Sequence, residues 1–151
     1  MLNCLKILFG RNEKMREITE AVVHCSYTTP DMDIDAEWIR NVHVNENGWK
    51  DIGYHYVILR DGTIELGRDI SRAGAHVLGH NKSTIGICLV GGKAKGNRNI
   101  SNFTEAQWKA LSKLKDELNE KYPDLKWSGH CDHDSGRTCP NFDVRAWVEH
   151  G

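Results

Sequence analysis

Apolar and polar positions along this chain repeat with two different periods. Glu20-Ala-Val-Val-His-Cys-Ser26 is a short β-rich run closed by hydroxyl residues, which predicts a buried strand. Thr28 to Asp33, with Pro30, is turn material. From Asp35 to Glu46 the residues Trp38, Ile39, Val42 and His43 recur on one side at helical spacing, so an amphipathic helix is predicted, stopped by Asn47-Gly48. Tyr54 to Arg60 then reads as a strand, Asp61-Gly62 as a tight hairpin turn, and Thr63 to Gly67 as the returning strand.

A loop rich in Gly, His and Asn, Gly74 to Ser83, leads into Thr84-Ile-Gly-Ile-Cys-Leu-Val90. That nearly continuous apolar run predicts a central strand covered on both faces. Gly91-Gly92 ends it, and the stretch to Asn102 is polar loop. Thr104, with Gln107 three positions on, has the capping-box pattern of a helix start. Trp108, Leu111, Leu114, Leu118 and Tyr122 supply its apolar stripe, and Pro123 stops it. Leu125 to Ser128 is a short strand, Gly129 to Pro140 a loop, and Asp143 caps a last helix carrying Val144, Trp147 and Val148. Alternating strands and helices predict an α/β fold with a central mixed β-sheet flanked by helices.

The chain has 151 residues, enough for one domain around one core. We place an N-terminal arm at 1–19 and the domain at 20–151. Lys and Arg (20) nearly balance Asp and Glu (21), so no basic excess drives nucleic-acid or membrane binding. The five cysteines, Cys4, Cys25, Cys88, Cys131 and Cys139, are odd in number and scattered, which predicts folding in a reducing compartment rather than a disulfide scaffold. No apolar run approaches the roughly 20 residues of a membrane span. Leu5–Phe9 is broken by Lys6 and is shorter than the ~7–15 apolar residues of a secretory signal. Synthesis in the cytoplasm without a signal peptide is therefore expected, with Met15 as an alternative start.

Candidate chemistry is concentrated in Gly129-His-Cys-Asp-His-Asp-Ser-Gly-Arg-Thr-Cys-Pro140, which holds His130, Cys131, His133 and Cys139 in one loop. Imidazole and thiolate are zinc ligands. Side chains of His130 and Cys131 should diverge at a strand end, which disfavours a closed local site of all four. His130 with Cys139 is the easier pair, and it leaves the site short of ligands. His24, at the end of the first buried strand, is the candidate for the missing one; a satisfied core histidine is the competing reading. His43 reads as structural, His55 as packed on the far face of its strand, and Cys25 and Cys88 as inert core thiols. His133 and Cys131 read as peripheral to the metal.

The runs VVHCSYT, GWKDIGYHYVILRDGTIELGRD, GAHVLGHNKSTIGICLVGG and GHCDHDSGRTCPNFD resemble the zinc-dependent N-acetylmuramoyl-L-alanine amidases of the phage lysozyme type, which belong with the peptidoglycan recognition proteins. The similarity spans about Glu20 to Trp147. It implies the recognition-protein fold, with a groove for glycan and peptide over the sheet. It also implies cleavage of the amide between N-acetylmuramic acid and L-alanine in peptidoglycan, as a phage or prophage endolysin acting on the cell wall. Carried over by residue, it makes His24, His130 and Cys139 the ligands of one zinc ion and Tyr54 a catalytic residue. Arg137 falls where phage members usually have lysine, and His76 lies on a loop that edges the groove, with His80 and Asn81 as weaker rim candidates. Three protein ligands leave a fourth position open, the mark of a catalytic zinc. Tyr54 and Tyr56 should share one face of their strand. Arginine stays protonated, so Arg137 is expected to stabilise negative charge or to pair with Asp132 or Asp134.

Two other classes are compatible with the resemblance. Some relatives bind peptidoglycan without cutting it, but these lack the zinc-binding cysteine, which is present here. Some phage amidases also bind a phage RNA polymerase, so that polymerase is a further possible partner. A monomer is expected.

Overall fold

The computed structural model describes residues 16–150, and at its centre is a five-stranded sheet. The strands are β1 (Glu20–Cys25), β2 (Tyr56–Ile58), β3 (Ile64–Leu66), β4 (Thr84–Leu89) and β7 (Lys126–Gly129), in the order β3-β2-β4-β1-β7. Within this sheet β2 and β3 run antiparallel, and the remaining neighbours are parallel. The continuous apolar run of β4 sits in the middle, buried along its whole length. A small ribbon of β5 (Lys93–Ala94) and β6 (Arg98–Asn99) lies in the stretch expected as loop. The helices are α1 (Ala36–Asn41), α2 (Glu105–Lys121) and α3 (Val144–His150). This is the α/β architecture with a mixed sheet that the sequence predicts.

Alternation along the strands divides the interior in two. Ala21, Val23 and Cys25 of β1, with Ile85, Ile87 and Leu89 of β4, pack against Leu111, Leu114 and Leu118 of α2 and Val144 of α3. On the opposite face Val57 and Cys88 pack with Ile34, Ala36 and Ile39 around α1. The small helix α1 cannot cover that whole face, and the uncovered part is where the site lies. The capping box of α2 forms as expected: Thr104 Oγ1 accepts from the Gln107 amide at 3.1 Å, and the Thr104 amide donates to Gln107 Oε1 at 3.0 Å. Gln107 is fully buried, and its Nε2 also donates to the Ile58 and Val90 carbonyls, tying the helix to the sheet.

Two expectations need correction. The helix expected from Asp35 to Glu46 is α-helical only over Ala36–Asn41, after an Asp35 cap, and then widens into a π turn, Val42–Glu46. The Asn47 amide reaches the Val42 carbonyl five positions back, at 3.2 Å. Of the predicted stripe, Ile39 is buried, Trp38 is 41% exposed, and Val42 and His43 at the start of the π turn are half-buried. The second correction concerns Tyr54 and Tyr56, which do not share a face. Tyr56 packs against the α2 core and Tyr54 against the α1 core. Regular strand geometry begins only at Tyr56, because the successive carbonyls of Tyr54 and His55 both accept from the successive amides Arg68 and Gly67, at 2.8 and 2.9 Å. Such a bulge-like pairing breaks the period of two and re-aims a side chain.

Residues 1–15 of the expected arm lie outside the described residues. Arg16 is bonded to the domain through the carbonyls of Ile70 (2.8 Å) and Thr84 (2.9 Å). Among the described residues, no helix is long and apolar enough to cross a membrane.

Candidate active site

His24 is the next-to-last residue of β1 and faces the incompletely covered side of the sheet, opposite Cys88 in register. β7 ends at Gly129, and a short 3-10 turn, His130–Asp132, carries the next histidine over the end of β1. The Nδ1 atoms of His24 and His130 lie 3.2 Å apart. The loop then returns to Cys139, whose carbonyl accepts from the Cys131 amide at 2.8 Å. One donor atom from each of His24, His130 and Cys139 falls within 4.8 Å of the others, a group able to hold a metal ion. These are the three residues that the sequence reading selects. Cys131 and His133 are not in the group. The His133 Nε2 bonds instead to Glu20 at 2.7 Å and to Ser128 at 3.1 Å, and Ser128 also donates to Glu20. Burial opposes ionisation of Glu20, but the hydrogen bonds from Ser128 and His133 outweigh it and hold the carboxyl below its usual range. That cluster staples the start of the loop to the start of β1.

Burial pushes the pKa values of both histidines down; for His24 the neighbouring His76 and His130 add to it, and for His130 the Arg137 charge does. Both shifts favour the neutral ring, the form that metal ligation requires. Cys139 lies beside the Cys25 thiol, and this contact together with burial raises its own pKa. The Cys25 amide donates to the Cys139 sulfur at 3.1 Å, so a dipole is already aimed at a thiolate there. The Cys25 side chain lies in the core, as expected, and its residue also borders the smaller cavity. The contact of its amide with Cys139 spans 114 positions of sequence, and no local pattern announces it.

Two cavities meet at the metal group, of about 380 and 670 Å³. Tyr54, His130 and Arg137 line both. The Tyr54 ring lies 5.1 Å from that of His24, centroid to centroid. Burial, and then the thiols of Cys88, Cys139 and Cys25 around it, raise its pKa well above the usual phenol value. Arg137 is paired through Nε with Asp134 at 3.1 Å, and its side chain is 62% exposed. The larger cavity is walled by Trp49, His43, His76 and Asn81. Sequence reasoning leaves Trp49 unassigned and reads His43 as structural. Here His43 accepts from the Gly53 amide at 2.9 Å and also stacks between Trp49 and Tyr54, at 4.6 and 5.5 Å. His76 is only 8% exposed, and both of its ring nitrogens have protein partners, His24 and Thr84. Asn81 lies at the cavity edge and accepts from the amides of His76 and Val77. His80 packs on the His133 ring at 4.4 Å.

Comparison with known proteins agrees with this geometry. Residues 14–142 match the family described as N-acetylmuramoyl-L-alanine amidase. The chain belongs to the N-acetylmuramoyl-L-alanine amidase family. These enzymes cleave the amide between N-acetylmuramic acid and L-alanine in peptidoglycan. The amidase is 45% identical over 140 residues to the endolysin of Enterobacteria phage K11, a match covering 91% of this chain and 90% of that protein. It is 43% identical to the endolysin of Escherichia phage T7 over 138 residues, 90% of this chain and 89% of the relative. Among solved structures, the amidase LysC from Clostridium intestinale superposes with a TM-score of 0.74 at 26% identity, covering 88% of this chain and 83% of that one.

Proposed function

We propose that this amidase is a zinc enzyme of the endolysin kind, with the ion held by His24, His130 and Cys139. The observation that carries the reading is the convergence of two imidazoles and a thiol where the two cavities meet. Two nitrogens each about 2.0–2.1 Å from a tetrahedral zinc stand roughly 3.3 Å apart. The 3.2 Å between the two Nδ1 atoms fits that spacing. Zinc at three such ligands supplies Lewis acidity at the scissile carbonyl and a nucleophile near neutral pH.

The protein's own groups handle substrate and charge. The scissile amide lies at the metal group beside Tyr54, with the glycan and the stem peptide that flank it entering the two cavities. Tyr54 stays protonated and donates a hydrogen bond to the oxyanion that develops on the carbonyl oxygen. Its raised pKa excludes it as a general base at neutral pH. Arg137 is always charged and, steadied by Asp134, adds positive potential to both cavities. His76, walled in by its two partners, contributes to the cavity floor and contacts substrate only with its ring edge.

The relatives named endolysins favour a role in dissolving the bacterial wall. Neither the site nor the comparisons support binding to a phage RNA polymerase. The test is metal content: the purified protein should bind one zinc per chain, and a chelator should abolish release of peptide from peptidoglycan. Full activity in metal-free protein would refute the reading.

A further inference from the structure

His76 is bonded in an order that admits one arrangement of protons. Its Nδ1 lies 2.8 Å from His24 Nε2, and its Nε2 lies 3.1 Å from Thr84 Oγ1. Thr84 Oγ1 in turn lies 2.8 Å from the His80 carbonyl. A carbonyl oxygen only accepts, so the single hydroxyl proton of Thr84 is directed to His80. Thr84 Oγ1 must then accept from His76, which places the His76 proton on Nε2. His76 is buried with no carboxylate among its partners, so its ring is held with a single proton and its Nδ1 is a bare acceptor. His24 therefore donates from Nε2. Its Nδ1, the atom facing His130, is left with a free lone pair.

The surroundings hold this chain of bonds in register. Asn81 Oδ1 accepts from the His76 and Val77 amides, at 2.9 and 3.0 Å, and fixes the backbone that carries the ring. Gly86 of β4 leaves room for the ring on the sheet: a Cβ there would stand 2.7 Å from His76 Cγ and Cδ2. The His24 and His76 rings meet edge to face, with centroids 4.9 Å apart.

We infer that His76 is a positioning residue for the metal ligand His24, fixing its tautomer and ring orientation through a one-way hydrogen-bond chain that ends on the His80 carbonyl. The inference rests on the zinc reading above, in which His24 is a ligand through Nδ1. A histidine ligand usually donates its other N–H to a carboxylate, carbonyl or water, and loss of that partner typically costs about 10–100-fold in metal affinity. Here a neutral imidazole fills the acceptor position, and Thr84 decides which way that imidazole is protonated.

Two measurements on the full chain test this. Nitrogen-15 NMR of the histidine side chains in zinc-free protein should find both His24 and His76 protonated on Nε2; a proton on His76 Nδ1 would overturn the inference, whatever the metal does. Competition with a chelator should show zinc binding weakened about 10–100-fold in His76→Phe and largely recovered in His76→Gln, whose amide both accepts and donates. Thr84→Val, which keeps His76 in place, should weaken binding less and shift the His76 proton between its nitrogens. Should His76→Phe fail to fold, Thr84→Val decides through the NMR readout. Wild-type zinc affinity in a folded His76→Phe would overturn the proposal. Failure of the wild-type chain to bind zinc would sink the metal reading separately, while the zinc-free NMR result would still decide the direction of the bonds.

Discussion

The Cys25 amide points at the sulfur of Cys139 from 3.1 Å, joining the end of β1 to the end of the loop after β7. The contact holds the thiol against the two histidines. Cys139→Ser keeps a small polar group there but replaces the soft ligand by a hydroxyl. We expect zinc content to fall below one tenth of wild type and muropeptide cleavage to be lost, measured by metal analysis and product release. Retention of one tightly bound zinc in this variant would remove Cys139 from the ligand set.

Tyr54→Phe deletes the phenol proton and leaves the ring that packs against His24 and His43. Zinc content should be unchanged, while kcat falls about 10²–10³-fold, the usual cost of losing one oxyanion donor. An unchanged rate would show that the hydroxyl takes no part in the reaction.

Arg137 touches no ligand atom of the metal group, and its Nε is engaged by Asp134. For Arg137→Lys we predict activity kept or raised, since a positive charge still faces both cavities. For Arg137→Ala the prediction is a drop in kcat/KM of about tenfold or more. A collapse in the lysine variant would instead assign the role to the planar, two-pronged geometry of the guanidinium.

Acid should weaken the fold through buried neutral histidines. Burial lowers the pKa of His55 to about 4 and that of His76 to about 3. The unfolded chain takes up those protons near pH 6.5, so between that pH and the folded values it holds more protons than the native state. Stability therefore falls as pH drops from about 6.5 toward 4, by about 1.4 kcal/mol per pH unit for each histidine once its unfolded form is charged. Denaturant titrations of zinc-free protein should show this slope, reduced by one proton in His76→Gln. A flat profile would contradict the burial of the two rings as neutral groups.

Much of the fold is legible in the sequence because its signals are local. The apolar run of Thr84 to Val90, the Asp61-Gly62 turn and the Thr104–Gln107 cap each act within a few residues, and the structure has a strand, a hairpin and a capped helix there. The group of His24, His130 and Cys139 is approachable from sequence because imidazole and thiol are a distinctive chemical type. What the sequence hides depends on a residue's neighbours across the fold. The π turn after Asn41 and the bulge at Tyr54–His55 each shift the side-chain phase by about one residue, and periodicity assumes no such shift. The contacts His24–His76 and Glu20–His133 span 52 and 113 positions, so nothing beside either residue announces them.

We propose that this chain hydrolyses the bond between N-acetylmuramic acid and L-alanine with a metal held by His24, His130 and Cys139. Mass spectrometry of the products from purified peptidoglycan, with and without chelator, tests it most directly. Free stem peptides beginning with L-alanine and intact glycan bearing lactyl groups are expected, both disappearing with chelator and returning when zinc is restored. Cleaved glycan, peptides cut within the stem, or the same products in fully metal-free protein would contradict it.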